Sequence, residues 1–326
     1  MMRRLRLVPE QTDFDFFRFQ RVTLGASIVA VIASIVLALV IGLNFGIDFR
    51  GGTTIRTEAV QPVDVGAYRD AIQPLNLGDV TITEVFDPTF GPDQNVAMIR
   101  IQAQEGAESV TPEVIQSVES ALKALDDSLT FTSVESVGPK VSGELIWAAV
   151  IAVATATAAI LFYIWLRFEW QFAVGAVAAL VHDVAITVGI FSLVQIQFDL
   201  AIIAALLTIL GYSINDTVVV FDRLRENLIK YKKMPLRDVM NKSVNETLAR
   251  TVMTSGTTLI ALIALYVLGG DVIRGFVFAI IWGVIIGTYS SVFVAKNIVL
   301  FLGVKRDWGK TDGPGAGTQF GGKADG

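Results

Sequence analysis

A carboxylate and a guanidinium are the groups in this sequence best placed to do chemistry, because both stand in or beside apolar stretches. Asp216 interrupts the stretch 200–221, and Arg250 directly precedes the stretch 251–269. A charge at the centre of a membrane-spanning helix costs roughly 2.5 to 3.5 kcal/mol, so it needs a partner or a task. Two interpretations stay open: a static ion pair that pins two helices, or a carboxylate that alternately holds a proton and the arginine.

A second ionisable pair, His182 and Asp183, lies near the middle of the apolar stretch 172–194. Adjacent helical positions point about 100° apart, so the two side chains cannot both face lipid. One interpretation is an interhelical hydrogen bond to polar groups such as Ser213 or Asn215. The other is a proton relay, since histidine titrates near neutral pH.

Glycines cluster where the first apolar stretch ends, at Gly46, Gly51 and Gly52, and a further flexible site occurs at Gly138 and Pro139. Glycine adopts backbone angles that a sharp turn or a hinge requires. The first cluster is therefore either a plain turn into a strand or a hinge on which a domain swings. The second site is a candidate second pivot.

Composition removes several classes of function. The chain has no cysteine and one histidine, which excludes disulfides, thiolate catalysis and a histidine-rich metal site. No phosphate-binding G-x-x-x-x-G-K-[ST] loop occurs, so we expect no nucleotide site, no enzyme activity and no cofactor other than protons. The net charge is only −5, and the bases do not alternate with aromatic residues, so nucleic acid is not an expected partner.

The elements that position these residues are membrane spans, since 53% of the 326 residues are hydrophobic and only 17% are charged. A bilayer core needs roughly 20 apolar residues per helix. Six such stretches occur: 23–43, 145–166, 172–194, 200–221, 251–269 and 275–295. The small residues Ser255, Gly256 and Thr257 in the fifth stretch are expected to allow close helix packing.

Lysine and arginine gather on one side of these spans, which predicts that both termini are cytoplasmic. The basic segments are 1–22, 222–250 and 296–326, whereas the loop 195–197 has no base. The bases from Arg223 to Lys242, in the loop 222–250, could dock a soluble partner, although topology and anionic lipid already explain them. We expect the glycine-rich tail to be disordered after about residue 310.

The segment 44–144 is polar enough to fold in water and is predicted to be a periplasmic domain. Strand patterns with period two alternate with two helical patterns in the order β-α-β-β-α-β. This order is typical of an α+β ferredoxin-like domain, a fold that hosts many functions. The predicted fold class is therefore a polytopic α-helical membrane protein with six transmembrane helices and this domain between helices 1 and 2.

Several motifs together resemble the SecD/SecF family of protein-export membrane subunits, over about 21–303. They are the glycine motif 46–53, the segment 137–141, the pair His182-Asp183, the segment 211–223 and the pair Arg250-Thr251. The segment 211–223 carries most of the resemblance. The glycine motif is similar in both branches of the family, while His182-Asp183, Asn215-Asp216 and Tyr212 favour the SecF branch.

This resemblance implies a resistance-nodulation-division membrane fold in which six helices pair with six helices of SecD. It also implies a bacterial inner-membrane protein that uses the proton motive force to complete preprotein translocation. The implied partners are SecD, the SecYEG channel, the motor SecA and the unfolded preprotein, with YajC as a further candidate. The family's proton-pathway residues match Asp216 and Arg250.

A different class of function stays open at this point, namely one half of a proton-driven small-molecule exporter of the same superfamily. Such exporters usually carry larger outer domains, which weakly favours protein export. A third alternative is a scaffold in which the ion pair only holds helices together.

Overall fold

The computed structural model describes residues 12–103 and 110–304. In that part, six helical segments are long and apolar enough to cross a membrane: Gln20–Val40 (α1), Pro139–Arg167 (α5), Trp170–Val194 (α6), Leu200–Lys230 (α7), Leu236–Leu268 (α8) and Asp271–Leu302. The sixth segment is irregular, because Asp271–Ser290 (α9) continues through a π-helical turn, Ser291–Ala295, into Lys296–Leu302 (α10). The predicted class of six spans plus one α+β domain is confirmed.

The largest difference from the sequence-based expectation lies between α7 and α8. The stretch 222–250, expected to be a loop, is helical except for the turn 231–235. Both helices continue past the apolar stretches because buried residues persist among the charges at helical spacing, and they belong to one apolar cluster: Leu224, Leu228, Val239 and Met240. The expected disordered tail lies outside the described residues, as does the start of the segment 1–22.

The α+β domain has the order β1-α3-β2-β3-α4-β4, with a short helix α2 before it. Its elements are Ile47–Arg50 (α2), Gly52–Ala59 (β1), Val65–Ile72 (α3), Val80–Val85 (β2), Asn95–Gln102 (β3), Pro112–Lys123 (α4) and Thr130–Val137 (β4). The four strands form one antiparallel sheet in the order β2-β3-β1-β4. This is the strand order of the predicted ferredoxin-like fold.

Alternation of apolar residues explains how this domain packs. Ile55 of β1 pairs with Ile99 of β3, and Ile82 of β2 pairs with Ile99 from the other side, so all three point to the same face. Val118 and Leu122 of α4 are fully buried against that face. The apolar face of the sheet and the apolar stripes of the two helices therefore form one core.

In the bundle, α6, α7 and the sixth segment are central and the other three spans are peripheral. About half of the most apolar window is buried in each central segment (50%, 44% and 56%), against 11% for α1 and α8 and none for α5. Close approach of the central helices depends on glycine: a Cβ at Gly283 of α9 would clash with Ile209 of α7. The apolar faces of α1, α5 and α8 are left for lipid or for another chain.

Candidate functional site

Asp216 lies in the interior of the bundle, and the residue is only 3% exposed. It shares one face of α7 with Ser213 and Val220, which are also buried because positions three or four residues apart point the same way. Its Oδ2 atom has no hydrogen-bond partner among the described residues. A buried, unsatisfied carboxylate oxygen is costly, and a bound proton reduces that cost.

Arg250 is the cation that attracts this carboxylate, and Ser255 on the same helix faces it. Among the ion pairs within 4 Å in the described part of the chain, none joins Asp216 to Arg250. Arg250 lies mid-way along α8, because α8 begins at Leu236 and not at residue 251. Arg250 is also exposed. The arrangement is a nearby but separated charge pair.

His182 and Asp183 form a second polar site in the same bundle. The Nδ1 atom of His182 lies 2.9 Å from Oδ1 of Asp183, and both residues are buried. The other oxygen, Oδ2, accepts hydrogen bonds from Ser213 at 2.6 Å and from Ser290 at 2.8 Å. Asp183 thus has partners from its own helix and from two others, α7 and α9. The expected interhelical hydrogen bond to Ser213 is present.

Asn215 does not join this network. It lies on the opposite side of α7 and is exposed, because it is two residues from Ser213 and so points away from the bundle interior. The ring of His182 stacks on Tyr289 with a centroid separation of 6.0 Å, and its Nε2 atom is buried without a hydrogen-bond partner among the described residues.

Hydroxyl groups of α8 and α9 lie beside both acidic sites. Ser290, which binds Asp183, lies two residues from Thr288 on α9, and the Oγ1 atom of Thr288 is 2.7 Å from Oγ of Ser255. Ser255 in turn faces Asp216. Because Thr288 and Ser290 are two residues apart on α9, their side chains point to different sides, so the Thr288–Ser255 contact and the Ser290–Asp183 contact are separate.

The sequence reasoning missed the contribution of α9 to this site. Ser255 was expected to serve only close packing, and Thr288 and Ser290 were not singled out. The available signal was a run of hydroxyl residues, 288–291, within an apolar stretch, since polar groups inside a span are costly unless they have partners.

The candidate hinge residues lie together at the base of the α+β domain. A Cβ placed on Gly51 would be 3.2 Å from the Val137 carbonyl oxygen and 3.3 Å from the Pro139 nitrogen. Gly51 and Gly52 both have positive φ, at 73° and 134°. Gly138 is a single extended residue between β4 and α5, which starts at Pro139. The two predicted pivots are therefore neighbours, and their hinge role remains a prediction.

Gly46 has a different environment from the other candidate hinge residues. Its amide donates to the Phe198 carbonyl at 2.8 Å, and the Phe198 amide donates to Asn44 at 2.7 Å. A Cβ on Gly46 would lie 2.6 Å from the Gln197 amide nitrogen. The chain leaving α1 is thus tied by backbone hydrogen bonds to the turn between α6 and α7, and a larger side chain at 46 would displace the Gln197 side chain.

Some bases of the stretch 222–250 form ion pairs within the chain. Arg223 contacts Glu226 at 2.6 Å and Glu246 at 2.7 Å, and Lys242 contacts Glu246 at 3.4 Å. The Arg223–Glu246 pair connects α7 and α8, whereas the other two pairs lie within one helix. In the described part of the chain, no group of three or more acidic or histidine residues could hold a metal ion.

Comparison with known proteins identifies the family of this chain. A family model described as the C-terminal part of protein export membrane proteins SecD/SecF matches residues 117–305, and a SecD/SecF GG motif model matches residues 36–63. The protein translocase subunit SecF of Cereibacter sphaeroides is 68% identical over 317 residues, covering 97% of this chain and 98% of the relative. The chain belongs to the SecF family. SecF of Rhodobacter capsulatus is 67% identical over 315 residues, 95% of each chain.

Solved structures agree with the SecF assignment. The crystal structure of SecDF, a translocon-associated membrane protein from Thermus thermophilus, is similar with a TM-score of 0.80 and 35% identity over 91% of this chain. A structure of SecDF in a super-membrane-facing form gives a TM-score of 0.67 and 37% identity. This chain spans 39% of the length of each solved chain. The expected resemblance to the SecF branch is confirmed.

Proposed function

We propose that this SecF-family chain uses the proton motive force, together with SecD, to complete preprotein translocation across the bacterial inner membrane. In this proposal both termini are cytoplasmic and the α+β domain is periplasmic. Family membership supports the class of function. One observation supports the coupling to protons. Asp216 is buried, one of its carboxylate oxygens has no hydrogen-bond partner among the described residues, and Arg250 is the nearby cation that attracts it.

Protonation of Asp216 would change the force between two helices. The ionised carboxylate attracts Arg250 and draws α8 toward α7, whereas the neutral acid does not. The two charges are not in contact within 4 Å, so a change in the separation of α7 and α8 would make or remove the contact. One charge moved through 100 mV supplies about 2.3 kcal/mol, which is enough to bias such an equilibrium.

His182 and Asp183 are the proposed relay that carries protons toward Asp216. Asp183 shares Ser213 with the face of α7 that holds Asp216, and the free Nε2 atom of His182 can take up a proton. A purely structural interhelical site is the competing account. In that account the residues hold α6, α7 and α9 together and exchange no proton.

Movement of α8 has a direct route to the α+β domain. The helix ends at Leu268. Three residues later, Asp271 forms hydrogen bonds with the backbone of Phe86 in that domain. Gly51 with Gly52 and Gly138 with Pro139 are the proposed pivots at the other side of the domain. In this proposal, protonation of Asp216 moves α8, and this movement shifts the α+β domain, which faces the preprotein.

The proposed partners follow the same reasoning. SecD would cover part of the apolar surface that α1, α5 and α8 leave exposed, and the length of the solved SecDF chains is consistent with a second half. SecYEG, SecA and the emerging preprotein are further proposed partners, and YajC is a candidate. Protons are the proposed coupling ion, with no other cofactor and no nucleotide.

The decisive experiment replaces Asp216 with asparagine in the full chain, co-expressed with SecD in inverted membrane vesicles. We expect export driven by the proton gradient to fall to the level without a gradient, while the stage driven by ATP is retained. Asp222→Asn is the matched control, because Asp222 is on the same helix but is half-exposed and pairs with Arg167 at 3.0 Å. Full gradient-dependent export by Asp216→Asn would reject the proton-coupling role.

The same preparation separates the alternatives. Efflux of small amphipathic compounds that depends on Asp216, with unchanged protein export, would favour the exporter function. Unchanged rates with lower thermal stability would favour the scaffold.

A further inference from the structure

Residues 12–19, which end in a turn at 16–19, are here called the amino-terminal strap, and two asparagines one helical turn apart hold this segment along α8. The Asn245 side chain accepts from the Phe14 amide at 2.9 Å and donates to the Phe14 carbonyl at 2.9 Å. The Asn241 side chain accepts from the Phe16 amide and donates to the Phe14 carbonyl, both at 2.9 Å. Four hydrogen bonds therefore fix the backbone of the strap to α8.

The other side of the strap closes over Lys296, the first residue of α10, which is 0% exposed. Its Nζ atom donates to the Phe16 carbonyl at 3.3 Å. The same ammonium lies 5.1 Å from the ring of Phe16, 4.1 Å from that of Phe17 and 5.4 Å from that of Phe293. Most of the contacts of this buried cation are therefore supplied by the strap.

No carboxylate of the described residues pairs with Lys296 within 4 Å. The nearest acidic residue of the strap, Asp15, instead lies 3.9 Å from Arg237. A buried cation without a carboxylate is costly, so its environment must be well satisfied by the carbonyl and the rings. Lysine at this position is thus explained by what it binds, which is the strap.

The two anchors belong to the elements that carry the proposed proton site. Asn245 is five residues before Arg250 on α8, and Lys296 is six residues after Ser290, the α9 partner of Asp183. Between Ser290 and Lys296 the chain forms the π-helical turn Ser291–Ala295. Such turns often mark functional sites, because they interrupt the regular hydrogen bonding of a helix.

We propose that the amino-terminal strap is a brace that positions Arg250 relative to the carboxylate sites, with Asn241, Asn245 and Lys296 as positioning residues. This inference rests on the proposed function and adds to it a cytoplasmic element that sets how well protonation is coupled to α8. Loss of the brace leaves the proton-binding groups intact. Without the brace, the distance between α8 and α10 varies, so a given proton gradient drives less preprotein export.

The first test measures the distance between α8 and α10. Because the sequence has no native cysteine, only the introduced cysteines are labelled. Nitroxide labels at Asp238→Cys on α8 and Phe301→Cys on α10 report the distance between the two braced helices in the full chain with SecD. We expect Asn241→Ala combined with Asn245→Ala to broaden the distance distribution. Asn95→Ala is the matched control, since Asn95 is an amide that binds backbone carbonyls of the α+β domain. An unchanged distribution in the double variant would overturn the brace.

The second test measures coupling as export rate against the size of an imposed proton gradient. We expect the double variant and Lys296→Met to lower the rate at small gradients by about 2-fold to 30-fold while approaching the native maximum at large ones. Lys296→Arg retains the cation and its donors and is expected to restore the native curve. A broadened distance with a native gradient dependence would show a purely structural strap and overturn the positioning role. Asp216→Asn reports on the proposed function separately, because it removes gradient dependence with the strap intact.

Discussion

Asp271, at the start of α9, holds both backbone polar groups of Phe86, the residue that follows β2. The Asp271 carboxylate accepts from the Phe86 amide at 2.6 Å, and the Asp271 amide donates to the Phe86 carbonyl at 3.1 Å. Arg274 forms an ion pair with the same carboxylate. This contact fastens the α+β domain to the connection between α8 and α9, at a distance from the covalent links through α1 and α5.

Asp271→Ala is expected to loosen that contact. A hydrogen bond to a charged group contributes about 1.5 to 3 kcal/mol, so exchange of the Phe86 amide with solvent should accelerate about 10-fold to 100-fold. Hydrogen exchange of the full chain measures this rate. Arg274→Gln removes the ion pair and keeps the acceptor for Phe86, so it should change the rate little. Equal acceleration in both variants would mean that the ion pair, and not the backbone contact, fastens the domain.

Ser213→Ala is expected to destabilise the bundle, because Asp183 would lose one of its two hydroxyl donors in the interior. The expected loss is about 1.5 to 3 kcal/mol, and Ser213→Ala combined with Ser290→Ala should cost more than either change alone. Thermal unfolding in detergent measures the effect. Thr208→Ala on the exposed side of α7 is the control, with an expected change within about 0.5 kcal/mol. A double variant as stable as the native chain would argue against stabilisation of the bundle by these hydrogen bonds to Asp183.

Gly52→Ala is expected to disrupt the base of the α+β domain. Gly52 has φ of 134°, and a Cβ there would clash with the Ile101 carbonyl of β3. The backbone strain alone costs about 1 to 3 kcal/mol, and the clash adds to it. Protease resistance of the domain in membranes is the measurement. Gly91→Ala serves as the control, since a Cβ there meets nothing within 4 Å, and equal resistance of the two variants would contradict the requirement for glycine at 52.

Asp126 is expected to make the α+β domain sensitive to acid. Hydrogen bonds from the Ser128 hydroxyl at 2.6 Å and the Ser128 amide at 2.9 Å lower the pKa of this carboxyl below its ordinary value of 3.8. A lowered pKa in the folded state contributes stability above pH 3.8 that is lost as the pH falls through the lowered pKa. Asp126→Ala should therefore speed exchange of the Leu129 amide at neutral pH, with the difference vanishing in strong acid. Asp127→Ala is the control, and a pH-independent difference would exclude the ionised carboxylate as the cause.

Much of the architecture could be predicted from local pattern. Apolar runs of the length of a bilayer predicted the six spans, and the order of period-two and helical patterns predicted the ferredoxin-like domain. The prediction was poorer between α7 and α8. Helix there depends on Leu224 and Val239 packing across the bundle, and an apolar run that ends at charged residues does not reveal such packing.

The candidate site could be predicted only in part from the sequence. Asp216 and Asp183 stood out because an ionisable residue in an apolar run is rare whatever the fold. The partners of Asp183 could not be assigned, since Ser290 is more than a hundred residues away and meets it only after α6, α7 and α9 pack together. Asn215 was selected for its neighbourhood in sequence, yet the rotation of α7 points it away from the interior.

The sequence by itself determined which segments enter the membrane and which charged groups enter with them, because both depend on composition over a single helix. Tertiary structure alone decided that Asp216 lies near Arg250 without pairing, and that Lys296 is enclosed by the amino-terminal strap. The physical reason is that these relationships are distances between helices. Such distances are set by glycine contacts and by side chains remote in sequence, which no local pattern encodes.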